Sequence, residues 1–194
     1  MKEKIEFFIT DSIEKLETAK SKFSNTEPKP IHINQKYFND KFIKDEDISE
    51  SSELREFREL KEIKNPVLYW FELTSSDNNE AIMNKLKEYR APLKKDFGNE
   101  KYRYTSAYKK NYDKNSTTLY VGKVETGFWG RMVTHLGYNK NKYTAGMQLF
   151  HWYKPELYGD IKLNYIVFEP NMRHLILILE KLLAKELKPL IGKY

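Results

Sequence analysis

The chain has no cysteine, which excludes disulfides and any zinc centre built on thiolates. Its four histidines, His32, His135, His151 and His174, are too scattered for a histidine-rich metal site. A bound metal is therefore expected to be a hard ion on oxygen ligands. Long apolar runs are missing too. The longest unbroken aliphatic stretch, Leu175 to Leu179, is far too short to span a bilayer, and the charged start Met1-Lys-Glu-Lys-Ile-Glu lacks the apolar run of a signal peptide. A soluble cytoplasmic protein with no membrane partner is expected. No internal repeat or low-complexity tract is present.

Within 194 residues there is room for one domain with a sizeable core, or for a small catalytic domain with a helical appendage. A hydrophobic content of 40% with 14% aromatics places the chain among folded proteins, and 32% charged residues imply a well-solvated surface. The formal net charge of +6 is unevenly divided. Residues 1–66 carry 13 Lys/Arg against 15 Asp/Glu, and residues 67–194 carry 21 against 13. The basic excess thus belongs to the second part, which suits a polyanionic partner such as nucleic acid.

Ile5, Ile9, Ile13 and Leu16 follow helical spacing and predict an amphipathic helix over residues 2–22, ended by a loop with Pro28 and Pro30. An acidic segment from Lys44 to Glu50 leads to a second helical stripe, Leu54, Phe57, Leu60 and Ile63, that stops before Asn65-Pro66. Residues 1–65 read as a helical N-terminal extension. Val67 to Leu73 then has the composition of a strand, and Asp77-Asn78-Asn79-Glu80 has the spacing of a capping box for a helix carrying Ala81, Ile82, Leu86 and Tyr89. Lys85 to Lys114 holds ten Lys/Arg against four Asp/Glu, interleaved with Tyr89, Tyr102, Tyr104, Tyr108 and Tyr112. Such a mixture supplies phosphate contacts and stacking surface, or simply a solvated basic segment whose tyrosines pack inward.

Thr117 to Lys123 reads as a strand, and Phe128 to Leu136 as a short helix closed by Gly137. Gly137 to Lys142 is a polar basic loop, and Thr144 to Tyr153 is helical or irregular. Ile161 to Phe168 alternates as a strand, and Asn171 is placed to cap a long final helix running to Lys188. The order strand, helix, strand, helix, strand, helix over residues 66–194 implies an α/β or α+β core.

Glu180 stands out on helix geometry. Its neighbours three and four residues away, Ile176, Leu177, Leu183 and Ala184, are all apolar, so its carboxylate is expected on a buried face. A buried carboxylate must be paired, protonated or bound to a cation, marking either a site or a structural salt bridge. Arg131 and His135 are one helical turn apart and share a face. They follow a strand bearing Tyr120, in which Gly122 permits close approach of a neighbour.

Leu119-Tyr120-Val121-Gly122-Lys123 resembles the second half of the GIY-YIG nuclease signature, and Val67-Leu68-Tyr69 resembles the first, with valine and leucine in place of glycine and isoleucine. Arg131-x-x-x-His135 falls where some restriction enzymes of that family carry an arginine and a histidine. Leu179-Glu180-x-x-Leu183-x-Lys185, followed by Lys188-Pro189, resembles the helix bearing the family's metal-binding glutamate. The resemblance covers roughly residues 66–192. It departs from the family in the separation of Tyr69 from Tyr120, which makes residues 76–115 an insertion, and in lacking the asparagine common after the glutamate.

The resemblance implies a small, mainly antiparallel central sheet flanked by helices, and a divalent-metal-dependent DNA endonuclease, of restriction or other defence type. Glu180 would bind Mg²⁺ or Mn²⁺, Arg131 would stabilise phosphoryl charge, Tyr120 would activate water, His135 would accept or position the proton and Tyr69 would orient the group. An ionised Tyr120 would need Arg131 or Lys123 nearby, because a phenol near its ordinary pKa of about 10 is a weak base at neutral pH. Lys123, Arg103, Lys109, Lys110, Lys140 and Lys142 are the candidate DNA contacts. One active centre per chain makes a homodimer the expected route to double-strand cleavage. A non-catalytic nucleic-acid-binding module with the same fold is the rival reading.

Overall fold

Alternation along Val67–Leu73 sends Val67, Tyr69, Phe71 and Leu73 to one face of a strand, and Leu68 and Trp70 to the other. Both faces are covered, and this two-sided burial organises the chain. The computed structural model describes residues 1–23, 30–44, 47–91, 103–141 and 143–193. Its four strands are β1 (Ile31–Ile33), β2 (Val67–Leu73), β3 (Thr118–Val124) and β4 (Ile161–Val167). They form one sheet in the order β1-β4-β2-β3, with every pairing antiparallel. The helices are α1 (Lys2–Phe23), α2 (Lys41–Lys44), α3 (Arg55–Glu59), α4 (Asn79–Arg90), α5 (Phe128–Leu136), α6 (Pro155–Tyr158) and α7 (Ile176–Leu187). The fold is α+β with a helical N-terminus.

The larger core lies on the Tyr69 face, where Phe128, Met132 and Leu136 of α5 and Ile82, Met83 and Leu86 of α4 meet Tyr69, Phe71 and Leu163. A smaller core on the opposite face joins Leu68 to Phe168, Met172 and Ile176 at the start of α7. Glycines fix both ends of α5: Gly127 precedes it at φ 70° and Gly137 closes it at φ 104°, left-handed conformations that cost glycine little.

The residues expected as a helical extension divide in two. Only α1 is an appendage. Ile5, Ile9, Ile13 and Leu16 of its apolar stripe are exposed, Ala19 packs on the smaller core, and Lys22 pairs with Glu169 at 2.7 Å. The described residues of 31–63 belong to the main core instead: β1 pairs with β4, and Tyr37, Leu54, Phe57 and Leu60 are buried with the sheet. The Tyr138 hydroxyl donates to the Tyr37 carbonyl at 2.6 Å and fastens this segment to the loop after α5. The second helical stripe is a succession of short turns over residues 52–62, with α3 at its centre.

Two expected caps do not form. Asn78 is the N-cap of α4, but its side chain makes no capping hydrogen bond, so the capping box is absent. Asn79 is turned inward, where its Nδ2 donates to the carbonyls of Lys114 and Ser116 at 2.8 Å each. Asn171 lies in a 3₁₀ turn, Pro170–Met172, and α7 begins only at Ile176 after Leu175. Thr144–Tyr153 is irregular apart from a 3₁₀ turn at Leu149–His151. Pro28, Tyr102 and Lys142 lie outside the described residues.

Candidate active site

β2 and β3 are neighbours despite the 76–115 segment between them. Tyr69 stands opposite Gly122, and Phe71 opposite Tyr120. Residues directly opposite in an antiparallel pair share a face, so Tyr69, Tyr120 and Gly122 all point toward α5. The two tyrosine rings stack with centroids 6.3 Å apart at 24°. Gly122 makes the room for this: a Cβ there would lie 2.6 Å from both Tyr120 Cε1 and the Tyr69 hydroxyl. The 51 positions separating the tyrosines in sequence therefore leave them side by side.

From α5, Arg131 and His135 converge on this pair, as their shared helix face requires. Arg131 Nε donates to the Tyr69 hydroxyl at 3.2 Å, Nη2 to the Tyr120 hydroxyl at 3.2 Å, and Nη1 to the Ala145 carbonyl at 2.7 Å. One guanidinium fork thus holds both phenols and is itself anchored. Burial works against the Arg131 charge, but the two tyrosine oxygens outweigh it and hold the proton more firmly than in a free arginine.

His135 occupies a different environment from the one its place beside Arg131 suggested. It is fully buried, 0% exposed like Tyr69, whereas Tyr120 retains 8%. His135 Nδ1 accepts from the Met147 amide at 3.2 Å, and Nε2 lies 2.9 Å from the Tyr69 hydroxyl. With Nδ1 accepting, a neutral imidazole carries its hydrogen on Nε2 and donates to Tyr69. Burial, with Arg131 nearby, holds the imidazole pKa well below its usual range, so it stays neutral. A histidine so placed is a fixed donor rather than a proton acceptor. The Tyr69 phenol, pushed far up by burial and by the neighbouring Tyr120, stays protonated and receives hydrogen bonds from both Arg131 and His135.

Tyr120 and Arg131 open on a cleft of about 280 Å³ lined also by Arg90, Thr105, Ala145 and Lys193. Arg90 sits over the Tyr108 ring at 4.9 Å and donates to the Ser106 carbonyl. The 76–115 segment is therefore a wall of the site: α4 is core, and residues 104–107 line the cleft. Tyr108 and Tyr120 each bridge to Ile191, which brings the C-terminal stretch along the free edge of β3.

Glu180 is half-buried, not buried, on α7. Its apolar neighbours misled because α7 is apolar on more than one face: Leu177, Ile178 and Leu182 are all exposed. Its charge still reaches the site, adding to the upward push on Tyr69, and Lys193 lines both its groove and the tyrosine cleft. Among the described residues no three His, Asp or Glu side chains gather as a metal cage. One carboxylate beside an open cleft fits Mg²⁺, which keeps most of its waters and takes one or two carboxylates together with substrate phosphate.

The remaining cations scatter. Lys123 projects to the sheet face opposite Tyr120 and pairs there with Glu125 at 2.8 Å, so it does not join the tyrosine cluster. Arg103 is committed to the Asn139 carbonyl, with Tyr89 accepting from its amide at 3.0 Å. Lys140 lines a separate cavity with Trp129 and Asp47. Lys110 is exposed, and Lys109 borders the Glu180 groove. Sequence reasoning missed Ala145 and Met147, which act through backbone atoms and leave no side-chain signal. Gln148, buried at φ 58°, anchors that loop by donating to the Thr144 carbonyl at 3.2 Å. Among the described residues no helix is long and apolar enough to cross a membrane. In comparisons with known proteins, no family model, no curated protein and no solved structure matches this chain.

Proposed function

We propose that the chain is a GIY-YIG-like endonuclease that hydrolyses DNA phosphodiesters with a divalent metal, in restriction or a related defence role. The observation that carries the reading is the Arg131 fork, which holds the Tyr69 and Tyr120 hydroxyls at 3.2 Å each on the wall of an open cleft. A core tyrosine pair needs no arginine across its hydroxyls, and even half-burying a guanidinium is costly unless its charge has work to do.

In this reading Tyr120 is the group that meets the attacking water and takes or relays its proton. Arg131, 3.2 Å from that hydroxyl, steadies the negative charge developing on Tyr120 and on the phosphoryl oxygens. Tyr69 and His135 do not touch substrate; they fix the Arg131 head from below. Glu180 would hold Mg²⁺ or Mn²⁺, which supplies Lewis-acid stabilisation of the phosphate and the leaving 3′ oxygen when bound. A homodimer would bring two such centres to the two strands.

Incubation of supercoiled plasmid with Mg²⁺ tests the reading. The parent is expected to nick or linearise the plasmid, and Glu180→Ala to act at least about a hundredfold more slowly, since loss of the metal's charge stabilisation is worth several kcal/mol. An intact plasmid with the parent, or equal cutting by the variant, refutes it.

A further inference from the structure

Glu180 lines a second groove, of about 560 Å³, that neighbours the Tyr120–Arg131 cleft. Among the described residues five lysines, Lys109, Lys181, Lys185, Lys188 and Lys193, surround it, together with the carboxylate of Glu180. Lys188 pairs with Asp113 at 3.2 Å; among the described residues, Lys109, Lys181, Lys185 and Lys193 form no ion pair. Like charges gathered this closely repel one another and weaken the fold, an expense that a bound polyanion removes.

Geometry narrows the polyanion. Lys181 and Lys185 lie one turn apart on α7, about 6 Å along its axis, and Lys188, the left-handed C-cap after Leu187, continues the groove lining. The small Ala184 lies between them and leaves the groove open. A linear row of point charges suits successive phosphates of a backbone better than a single compact anion. Among the described residues no aromatic ring lines the groove, so they offer unstacked bases no platform there, which favours duplex over single-stranded nucleic acid. Lys193 lines this groove and the Tyr120–Arg131 cleft alike, so the two are neighbours.

We propose that this groove grips the sugar-phosphate backbone of duplex DNA on the Glu180 side of the scissile phosphate, with Lys181 and Lys185 on separate phosphates. The proposal rests on the nuclease reading above. It assigns affinity, without sequence choice, to the end of α7, and it separates the carboxylate's role from that of the lysines beside it.

The test is fluorescence anisotropy of a labelled DNA duplex in EDTA, where nothing is cleaved, over a series of salt concentrations. Lys181→Gln/Lys185→Gln is expected to lower the slope of log affinity against log salt by about 2 and to weaken binding roughly tenfold or more at low salt, equally for unrelated sequences. Lys4→Gln/Lys36→Gln, on segments lining neither groove, is expected to match the parent. Matching thermal unfolding midpoints show that both variants fold. If the parent binds and cuts DNA but the two pairs have equal slopes, the groove proposal falls and the nuclease reading stands. If the folded parent neither binds nor cuts, both fall.

Discussion

Gly122 is where a single atom decides the site. An added Cβ would sit 2.6 Å from the Tyr69 hydroxyl and from Tyr120 Cε1, and neither ring can retreat, because Arg131 and His135 hold Tyr69 while Ile191 bridges the backbone of Tyr120. Gly122→Ala is therefore expected to cost about 1–3 kcal/mol, the usual range for overpacking, and to reduce activity by prising the phenols from Arg131. Urea denaturation reads the first effect and plasmid nicking the second. His135 supplies a pH signature. Its folded pKa is depressed, so the unfolded chain binds the proton more readily, and stability is full above the unfolded value near 6.5 and falls as pH drops below it. The slope is about 1.4 kcal/mol per pH unit for the one proton. His151, half-buried and depressed in the same sense, adds to it. Unfolding free energies at pH 7.5 and 5.5 should show the loss, and His135→Gln should shrink the difference between the two pH values; an undiminished difference would mean that His135 is not the group held neutral. That Arg131 and His135 share a target was legible from their spacing. The burial of His135 was not, because it depends on how closely α5 lies on the sheet and on the Met147 amide.

At the scale of elements, β2 and α5 were legible to the residue. Dense β-formers after Pro66 define the one, and glycines at both ends define the other. β1 was missed because it has three residues and exists only through its pairing with β4. The long 76–115 segment seemed to part the two tyrosines, yet antiparallel pairing is indifferent to connection length once the strands have sides to bury, and α4 supplies one of them. The hinge of this arrangement is Asn79. Its Nδ2 donates to the carbonyls of Lys114 and Ser116 and fixes where the chain turns into β3 at Thr118, two residues before Tyr120. Asn79→Ala leaves two carbonyls without their donor, at a cost of about 2 kcal/mol. Urea denaturation checks the stability, and the loosened entry to β3 is expected to lower plasmid nicking beyond what stability alone would cause at 25 °C. If nicking is unchanged, β3 does not depend on this link for its register.

On the scale of the whole molecule, charge was read correctly as lying in the second part of the chain, and the site and its lysine groove are both there. The division of the chain at residue 65 is a different matter. A helical pattern rich in charge read as an extension, and Phe57, 0% exposed, shows how part of it joins the core: it meets Trp129 of α5 with ring centroids 4.8 Å apart, while Tyr37 packs edge-on against Phe57. Removing residues 1–65 would strip β1 from the sheet and uncover four large core side chains, Tyr37, Leu54, Phe57 and Leu60, each worth about 1.5–3 kcal/mol of burial. That loss rivals the entire stability of an ordinary domain, so the shortened chain is expected not to fold. Removing residues 1–23 is the contrasting case. It takes away the contact of Ala19 and an exposed ion pair between Lys22 and Glu169, worth at most about 1 kcal/mol, together with an exposed apolar stripe. Thermal unfolding followed by circular dichroism should therefore give a cooperative transition within a few degrees of the parent for the shorter truncation and none for the longer one. A cooperative transition in the chain starting at residue 66 would show instead that the sheet closes its core without β1, and that residues 31–63 are an appendage after all.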